Sequence, residues 1–156
     1  MKTMLLSMLG GSLVSLEVFF LTLLFSLPLG MVFALGRMSK NPVLQLPVKV
    51  LMLIVRGTPL ILQLLCVYFA PYYIIKVSYN RFTAVIIAFS INYACYFAEI
   101  YRGGIESIAK GQYEAAKVLG FTKAQTFFKI VLPQVVKRIL PATGNEVITL
   151  VKDTAL

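Results

Sequence analysis

The sequence predicts an all-α bundle of helices that crosses a membrane several times. Of its 156 residues, 59% are hydrophobic and only 13% are charged, whereas soluble domains average about 45–50% and about 25%. The mean hydropathy is +0.86, and long uncharged stretches alternate with clusters of Lys and Arg. Because a helix needs about 20 apolar residues to cross a bilayer, we expect a polytopic membrane protein with a single domain.

The composition also excludes most catalytic chemistry. The chain contains no His and only two Cys, Cys66 and Cys95. A Ser-His-Asp triad, a His-ligated zinc site and a thiolate metal cage are therefore excluded. Both Cys lie in apolar stretches, where they are expected to pack as small hydrophobic residues. We expect a protein that is not an enzyme and that needs no metal and no cofactor.

Four stretches are expected to cross the membrane, at about 12–36, 58–75, 82–101 and 139–156. Pro28 lies within the first stretch and predicts a kink there rather than a break. The first stretch also lacks a small-residue cleavage pattern, which predicts a retained helix rather than a signal peptide. The fourth stretch is the most polar of the four.

A shorter segment at about 43–55 is predicted to lie along the membrane surface. It is too short to cross a bilayer, and Lys49 and Arg56 share one helical face while apolar residues cover the rest. Arg56 is expected to contact lipid phosphate, since basic residues at the inner face are attracted to anionic lipids. Thr58 followed by Pro59 predicts the N-cap and the first residue of the next helix.

The distribution of basic residues predicts the orientation of the chain. The net charge is +9, from 15 Lys and Arg against 6 Asp and Glu. Most basic residues fall in two blocks, at 37–56 and 102–138. The positive-inside rule places both blocks in the cytoplasm and the N-terminus outside. An excess of positive charge in a soluble protein would indicate nucleic acid, but this placement predicts membrane lipid as the partner and no nucleic acid.

Within the second block, the sequence predicts a helix, a tight turn and another helix. Residues recur at helical spacing over about 106–119, and Gly120 is placed to end that helix. Thr122 and Gln125 form a capping-box pattern that predicts the start of the next helix. Because the chain is anchored in a membrane, this arrangement favours a protein partner at the membrane surface over DNA.

Two adjacent small residues, Ala115 and Ala116, follow Glu114 on the first of these helices. Small side chains allow a helix backbone to approach a partner groove closely, and a carboxylate at the rim can accept a charge-assisted hydrogen bond. The alternative is an ordinary Ala-rich helix, since Ala is the best helix former.

Three motifs resemble those of the permease subunits of bacterial type I ABC importers. The spacing of Glu114-Ala115-Ala116, Gly120, Ile130, Leu132 and Pro133 is similar to the EAA loop of that family. The stretches RGTPL at 56–60 and NYACYFAEIYRGGI at 92–105 resemble the branch that imports polar amino acids such as histidine, glutamate, glutamine, arginine and opines. LVKDTAL at 150–156 also resembles this branch, in which one more helix follows. The resemblance therefore implies about four crossing helices here and the absence of the final one.

The resemblance implies a permease that translocates a polar amino acid by alternating access. It assigns coupling to a separate ABC ATPase subunit to Glu114, Ala115, Ala116 and Gly120, and the sequence itself contains no phosphate-binding loop for ATP. It also implies a second permease subunit, identical or related, an extracytoplasmic amino-acid-binding protein and a bacterial cell membrane. The alternative is a membrane anchor or scaffold that transports nothing.

Polar residues inside the spans are the candidates for the substrate path. Intramembrane polar and acidic residues are costly unless they serve a function, and two sets share one helical face each by their spacing. They are Asn92, Tyr96 and Glu99 on the third span and Glu146, Thr149 and Asp153 on the fourth. The two stripes are expected to face each other. The alternatives are that Glu99 only pairs with Arg102 and that Asp153 only neutralises Lys152.

Overall fold

The computed structural model describes the backbone of residues 2–154 and the side chains of residues 8–74 and 76–154. All elements in this part of the chain are helical, which confirms the all-α prediction. They are α1 (Lys2–Met38), α2 (Pro42–Gly57), α3 (Leu60–Ile75), α4 (Arg81–Glu106), α5 (Lys110–Val118), α6 (Lys123–Gln125), a π-helical stretch (Thr126–Val131) and α7 (Leu132–Asp153).

Within the part of the chain that the structure describes, two helices are long and apolar enough to cross a membrane alone, over Met8–Met38 in α1 and Arg81–Glu106 in α4. The pair α2 and α3 meets the same criterion only when joined, and the chain bends by 115° between them. After a bend of this size, the axis of α2 is closer to perpendicular than to antiparallel to the axis of α3. A helix on the membrane surface beside a membrane-crossing helix would have this relative orientation. Length and composition thus support two crossings, or three if the bent pair forms one.

Helix α4 lies at the centre of the bundle and contacts α1, α2, α3 and α7. It packs most extensively against α1, where Gly30 allows the two backbones to approach closely. A Cβ atom at Gly30 would lie 2.9 Å from the Cβ of Phe97 and 3.1 Å from the carbonyl oxygen of Ala94. Small residues at such contacts are typical of helix packing in membranes.

Helix α7 packs along α4 in the opposite direction. Gly104 near the end of α4 lies against Val135 and Ile139 near the beginning of α7, and Tyr93 in the middle of α4 meets Asp153 at the end of α7. This register places Asp153 level with the middle of α4.

The break between α4 and the next helix lies later in the chain than the helical spacing predicted. Helix α4 continues through Glu106, and α5 begins at Lys110 rather than near 106. The backbone N–H of Ser107 donates to Gly103, its hydroxyl donates to Gly104, and these bonds cap α4. Ile108 in the turn between the two helices is buried. The helical spacing of apolar residues therefore continues across the turn, and the sequence pattern does not reveal where α4 ends.

Two further helix starts differ from the expected ones. Helix α3 has Pro59 rather than Thr58 at its N-cap, because the Thr58 hydroxyl donates to the carbonyl of Ile54 at the end of α2 instead. Helix α7 begins at Leu132 rather than near 139 and follows the π-helical stretch directly. Pro133 lies in its first turn, where the missing N–H is tolerated. Helix α1 continues through Pro28 without a break, as expected from the sequence.

Gly104→Ala is expected to lower the thermal unfolding midpoint of the detergent-solubilised protein, because the added methyl group would overlap Ile139. Overpacking of this kind costs about 1–3 kcal/mol. Gly103→Ala is the matched control, since nothing lies within 4 Å of a Cβ atom there and Ala favours a helix over Gly. Equal midpoints for the two variants would contradict the close contact between α4 and α7.

Candidate coupling and substrate-path site

Helix α5 ends in the glycine turn that the sequence predicted. Gly120 has a φ of 76°, a left-handed conformation that glycine adopts at little cost. Its N–H donates to the carbonyl of Lys117 over 3.1 Å, and the N–H of Phe121 donates to that of Ala116 over 3.0 Å. These two bonds form a Schellman motif, which fixes the direction in which the chain leaves α5.

The predicted capping box is present immediately after this turn. The side-chain oxygen of Gln125 accepts from the Thr122 N–H over 2.9 Å, and the Thr122 hydroxyl accepts from the Gln125 N–H over 3.3 Å. The end of α5 and the beginning of α6 are therefore both held by local hydrogen bonds across a short, defined turn.

Side-chain contacts attach α5 and the turn before it to the base of α7. Ile108 packs with Val131 and Val135 in a small apolar cluster. The Gln134 side chain donates to that of Gln112 on α5 over 3.3 Å, and Arg138 donates to the carbonyl of Ser107. These contacts join α5 and the turn that follows α4 to the first part of α7.

The two adjacent alanines of α5 lie in opposite environments. Ala116 is only 1% exposed, whereas Ala115 and Glu114 are exposed. Ala116 packs inward within the chain, so that of residues 114–116 only Glu114 and Ala115 are exposed on the surface of α5. The exposed side of the helix end also carries Val118 and Leu119, at 88% and 72% exposure. Sequence reasoning missed these two because their spacing is equally consistent with burial.

Asn92 is tied to the bend between α2 and α3. Its amide nitrogen donates to the side-chain oxygen of Gln63 over 2.9 Å. The Gln63 nitrogen in turn donates to the carbonyls of Val55 over 2.6 Å and Thr58 over 2.9 Å. Gln63 thus connects α4 to α2 and α3, a role that the sequence pattern did not indicate because its partners are distant in the chain.

Glu99 takes part in an ion-pair network. Arg102 donates to one carboxylate oxygen from two nitrogens, over 2.6 and 3.0 Å, so the pairing that was the alternative for Glu99 is present. Arg37 and Arg56 lie 3.9 Å from the other oxygen. The Arg56 guanidinium also lies 5.3 Å from the centre of the Tyr96 ring, a cation–π arrangement.

Among the described residues, no side-chain hydrogen bond or ion pair joins the two polar stripes directly. The stripe on α4 contacts α2 and α3 and, through Glu99, also Arg37 of α1. The neighbouring Tyr93 donates its hydroxyl to Asp153 of α7 over 2.6 Å. Tyr93 is almost completely buried. On α7, Glu146 is partly buried, and the exposed Thr149 donates to its own helix. The four charged ion-pair contacts among described residues do not include Lys152 with Asp153.

Tyr93→Phe is expected to destabilise the protein by about 1.5–3 kcal/mol, the usual contribution of a hydrogen bond to a charged group. Asp153→Ala removes the acceptor of the same bond, so the double variant is expected to be more stable than the sum of the two losses predicts. Unfolding in detergent measures both effects. Tyr73→Phe, at an exposed position, is the control, and strict additivity of the two substitutions would contradict the contact.

Proteins of similar sequence are components of membrane transport systems. Residues 26–156 match the family described as "Binding-protein-dependent transport system inner membrane component". The chain is 41% identical to the putative glutamine transport system permease protein GlnP of Rickettsia conorii, over 94% of this chain and 67% of that protein. It is 36% identical to the L-cystine transport system permease protein TcyB of Bacillus subtilis, over 94% of this chain and 62% of that protein.

A solved structure shows the same fold. The crystal structure of an amino acid ABC transporter with histidines superimposes with a TM-score of 0.83 at 36% identity, covering 96% of this chain and 73% of that one. The chain therefore belongs to the inner membrane components of binding-protein-dependent transport systems, the multi-pass permease subunits of ABC importers.

Proposed function

We propose that the chain forms part of the translocation path of an importer for a polar amino acid and that α5 couples this path to a separate ATPase subunit. The observation that carries the proposal is the environment of α5. Glu114 and Ala115 lie exposed on a helix whose end is held by two capping motifs. The names of the relatives, which refer to glutamine and cystine, support a polar amino acid as the substrate.

The proposed assembly contains two permease subunits, identical or related, two ATPase subunits and an extracytoplasmic binding protein. The chain lies in a bacterial cell membrane with its N-terminus outside and the blocks at 37–56 and 102–138 in the cytoplasm. The distribution of basic residues supports this orientation. In this assembly the permease hydrolyses no ATP itself.

The attachments of α5 explain how ATPase closure would act on the membrane helices. Gln112 on α5 contacts Gln134 on α7, and Ser107 beside α5 accepts from Arg138 on α7. A movement of α5 would therefore carry the cytoplasmic ends of α4 and α7 with it. Rigid-body movement of this kind exposes a central path alternately to the two sides of a membrane.

The proposed substrate path follows the polar groups of α4 and α7. A cavity of about 290 Å³ opens beside Asp153, between α1, α3 and α4, with Val18, Leu60 and Phe89 among its lining residues. Ser15 and Thr154 are the other polar residues of its lining, and a carboxylate at a mostly apolar cavity favours the ammonium group of an amino acid. Glu146, Thr149, Asn92, Tyr96 and Glu99 remain further candidates for the path.

Glu114→Lys is expected to abolish ATP-driven uptake while membrane insertion stays intact, because it reverses the charge on the exposed side of α5. The measurement is uptake into proteoliposomes that contain the permease, its ATPase and its binding protein. Glu114→Gln, which keeps the shape and loses only the charge, is expected to retain part of the activity. Normal uptake by Glu114→Lys would contradict the coupling role. In the same vesicles, substrate-stimulated ATP hydrolysis distinguishes a permease from a scaffold.

Ala115→Leu and Ala116→Leu are expected to have opposite effects, because the two methyl groups lie in opposite environments. Ala115→Leu is expected to leave the unfolding midpoint unchanged and to weaken ATPase binding by about tenfold, a typical effect at the centre of an interface. Ala116→Leu is expected to destabilise the permease by about 1–3 kcal/mol through overpacking. Thermal unfolding and co-purification of the ATPase subunit measure the two effects. Unchanged ATPase binding by Ala115→Leu would contradict the proposed docking face.

A further inference from the structure

A basic cavity of about 360 Å³ lies where α1, α2 and α4 meet. Three cationic side chains line it, Arg37 at the end of α1 and Lys49 and Arg56 on α2, together with the single carboxylate of Glu99 on α4. We propose that this cavity binds the phosphate of an anionic phospholipid headgroup. The proposal rests on the cytoplasmic position of α2 proposed above.

Among the described residues, the cations of this cavity have only long ion-pair contacts to Glu99 and one cation–π contact, between Arg56 and Tyr96. Glu99 accepts hydrogen bonds from Arg102, whereas Arg37 and Arg56 lie 3.9 Å from its other oxygen, too far for a hydrogen bond. Among the described residues, the side chains of Arg37, Lys49 and Arg56 donate no hydrogen bond to a protein group. Guanidinium groups bind phosphate through paired N–H donors, so the cavity has the charge and the free donors for a phosphate.

The surface beside the cavity favours a lipid over a soluble phosphate. Leu46, Val50 and Leu53 are 61%, 45% and 74% exposed and share one side of α2 by their spacing. Leu53 also lines the cavity. An apolar stripe next to a basic cavity matches a molecule with a charged headgroup and acyl chains, and basic pockets between helices on the cytoplasmic side bind anionic headgroups.

The experiment counts the lipids that stay bound to the purified full-length chain by native mass spectrometry, after exposure to mixtures of phosphatidylglycerol and phosphatidylcholine. We expect at least tenfold more phosphatidylglycerol than phosphatidylcholine on the wild type. The double variant Arg37→Gln/Arg56→Gln is expected to lose this preference. Lys110→Gln/Lys129→Gln is the matched control, because it removes the same charge from exposed positions outside the cavity, and its preference is expected to persist.

Three results would overturn the proposal. Equal binding of the two lipids by the wild type would exclude an anionic headgroup site, and an equal loss in both double variants would show only general attraction to positive charge. Displacement of phosphatidylglycerol by millimolar glycerol 3-phosphate would identify a soluble phosphate as the ligand.

If Arg37→Gln/Arg56→Gln unfolds, Lys49→Gln at an exposed position replaces it, with Lys110→Gln as its control. Retained preference in Lys49→Gln would also contradict the proposal. A second test uses Val50→Ser/Leu53→Ser, which is expected to weaken phosphatidylglycerol binding by reducing acyl-chain contact. Because the assay contains neither ATPase nor transported substrate, its failure would leave the proposed transport function intact, and a failure of transport would leave lipid binding intact.

Discussion

The close packing of α4 against its neighbours is the constraint on which the rest of the structure depends. Lipid tails are as apolar as leucine side chains, so helices in a membrane gain little from apolar burial alone and associate through tight packing and hydrogen bonds. Gly30 on α1 meets Ala94 and Phe97 on α4, and Gly104 on α4 meets Ile139 on α7. These two glycines place α4 at the centre, and the positions of its polar side chains follow from that placement.

Three polar side chains of α4 are hydrogen-bonded, whereas the buried hydroxyl of Ser90 on the same helix has no partner among the described residues. Asn92 binds Gln63 of α3 and Tyr93 binds Asp153 of α7, while Glu99 pairs with Arg102 of its own helix. Unpaired polar groups are costly where water is excluded, so these bonds fix the rotation of α4 about its axis as well as its depth. The same bonds connect the residues expected to line a substrate path to the residues that hold the bundle together.

Two of the three local capping features expected from the sequence are present, whereas the N-cap at Thr58 is not, and the long-range pairing was not predicted. The glycine turn at Gly120 and the capping box of Thr122 depend on neighbouring residues only, and both were predicted correctly. The contacts of Gln63 and Tyr93 depend on how distant helices are rotated against each other, which spacing along one helix does not determine. The opposite environments of Ala115 and Ala116 have the same origin, since only the packing of α5 on the π-helical stretch decides which alanine is buried.

Helices α4 and α7 are in contact at three levels along their length. They are joined by Arg138 and Ser107 just beyond the C-terminal end of α4, by Gly104 and Ile139 one turn before that end, and by Tyr93 and Asp153 near the middle of α4. Between α4 and α3, in contrast, the side-chain hydrogen bonding of the described residues is confined to Asn92 and Gln63. If α5 transmits the movement of an ATPase, α4 and α7 would move together. The hydrogen bond between Asn92 and Gln63 would then carry this movement from α4 to the bend between α2 and α3.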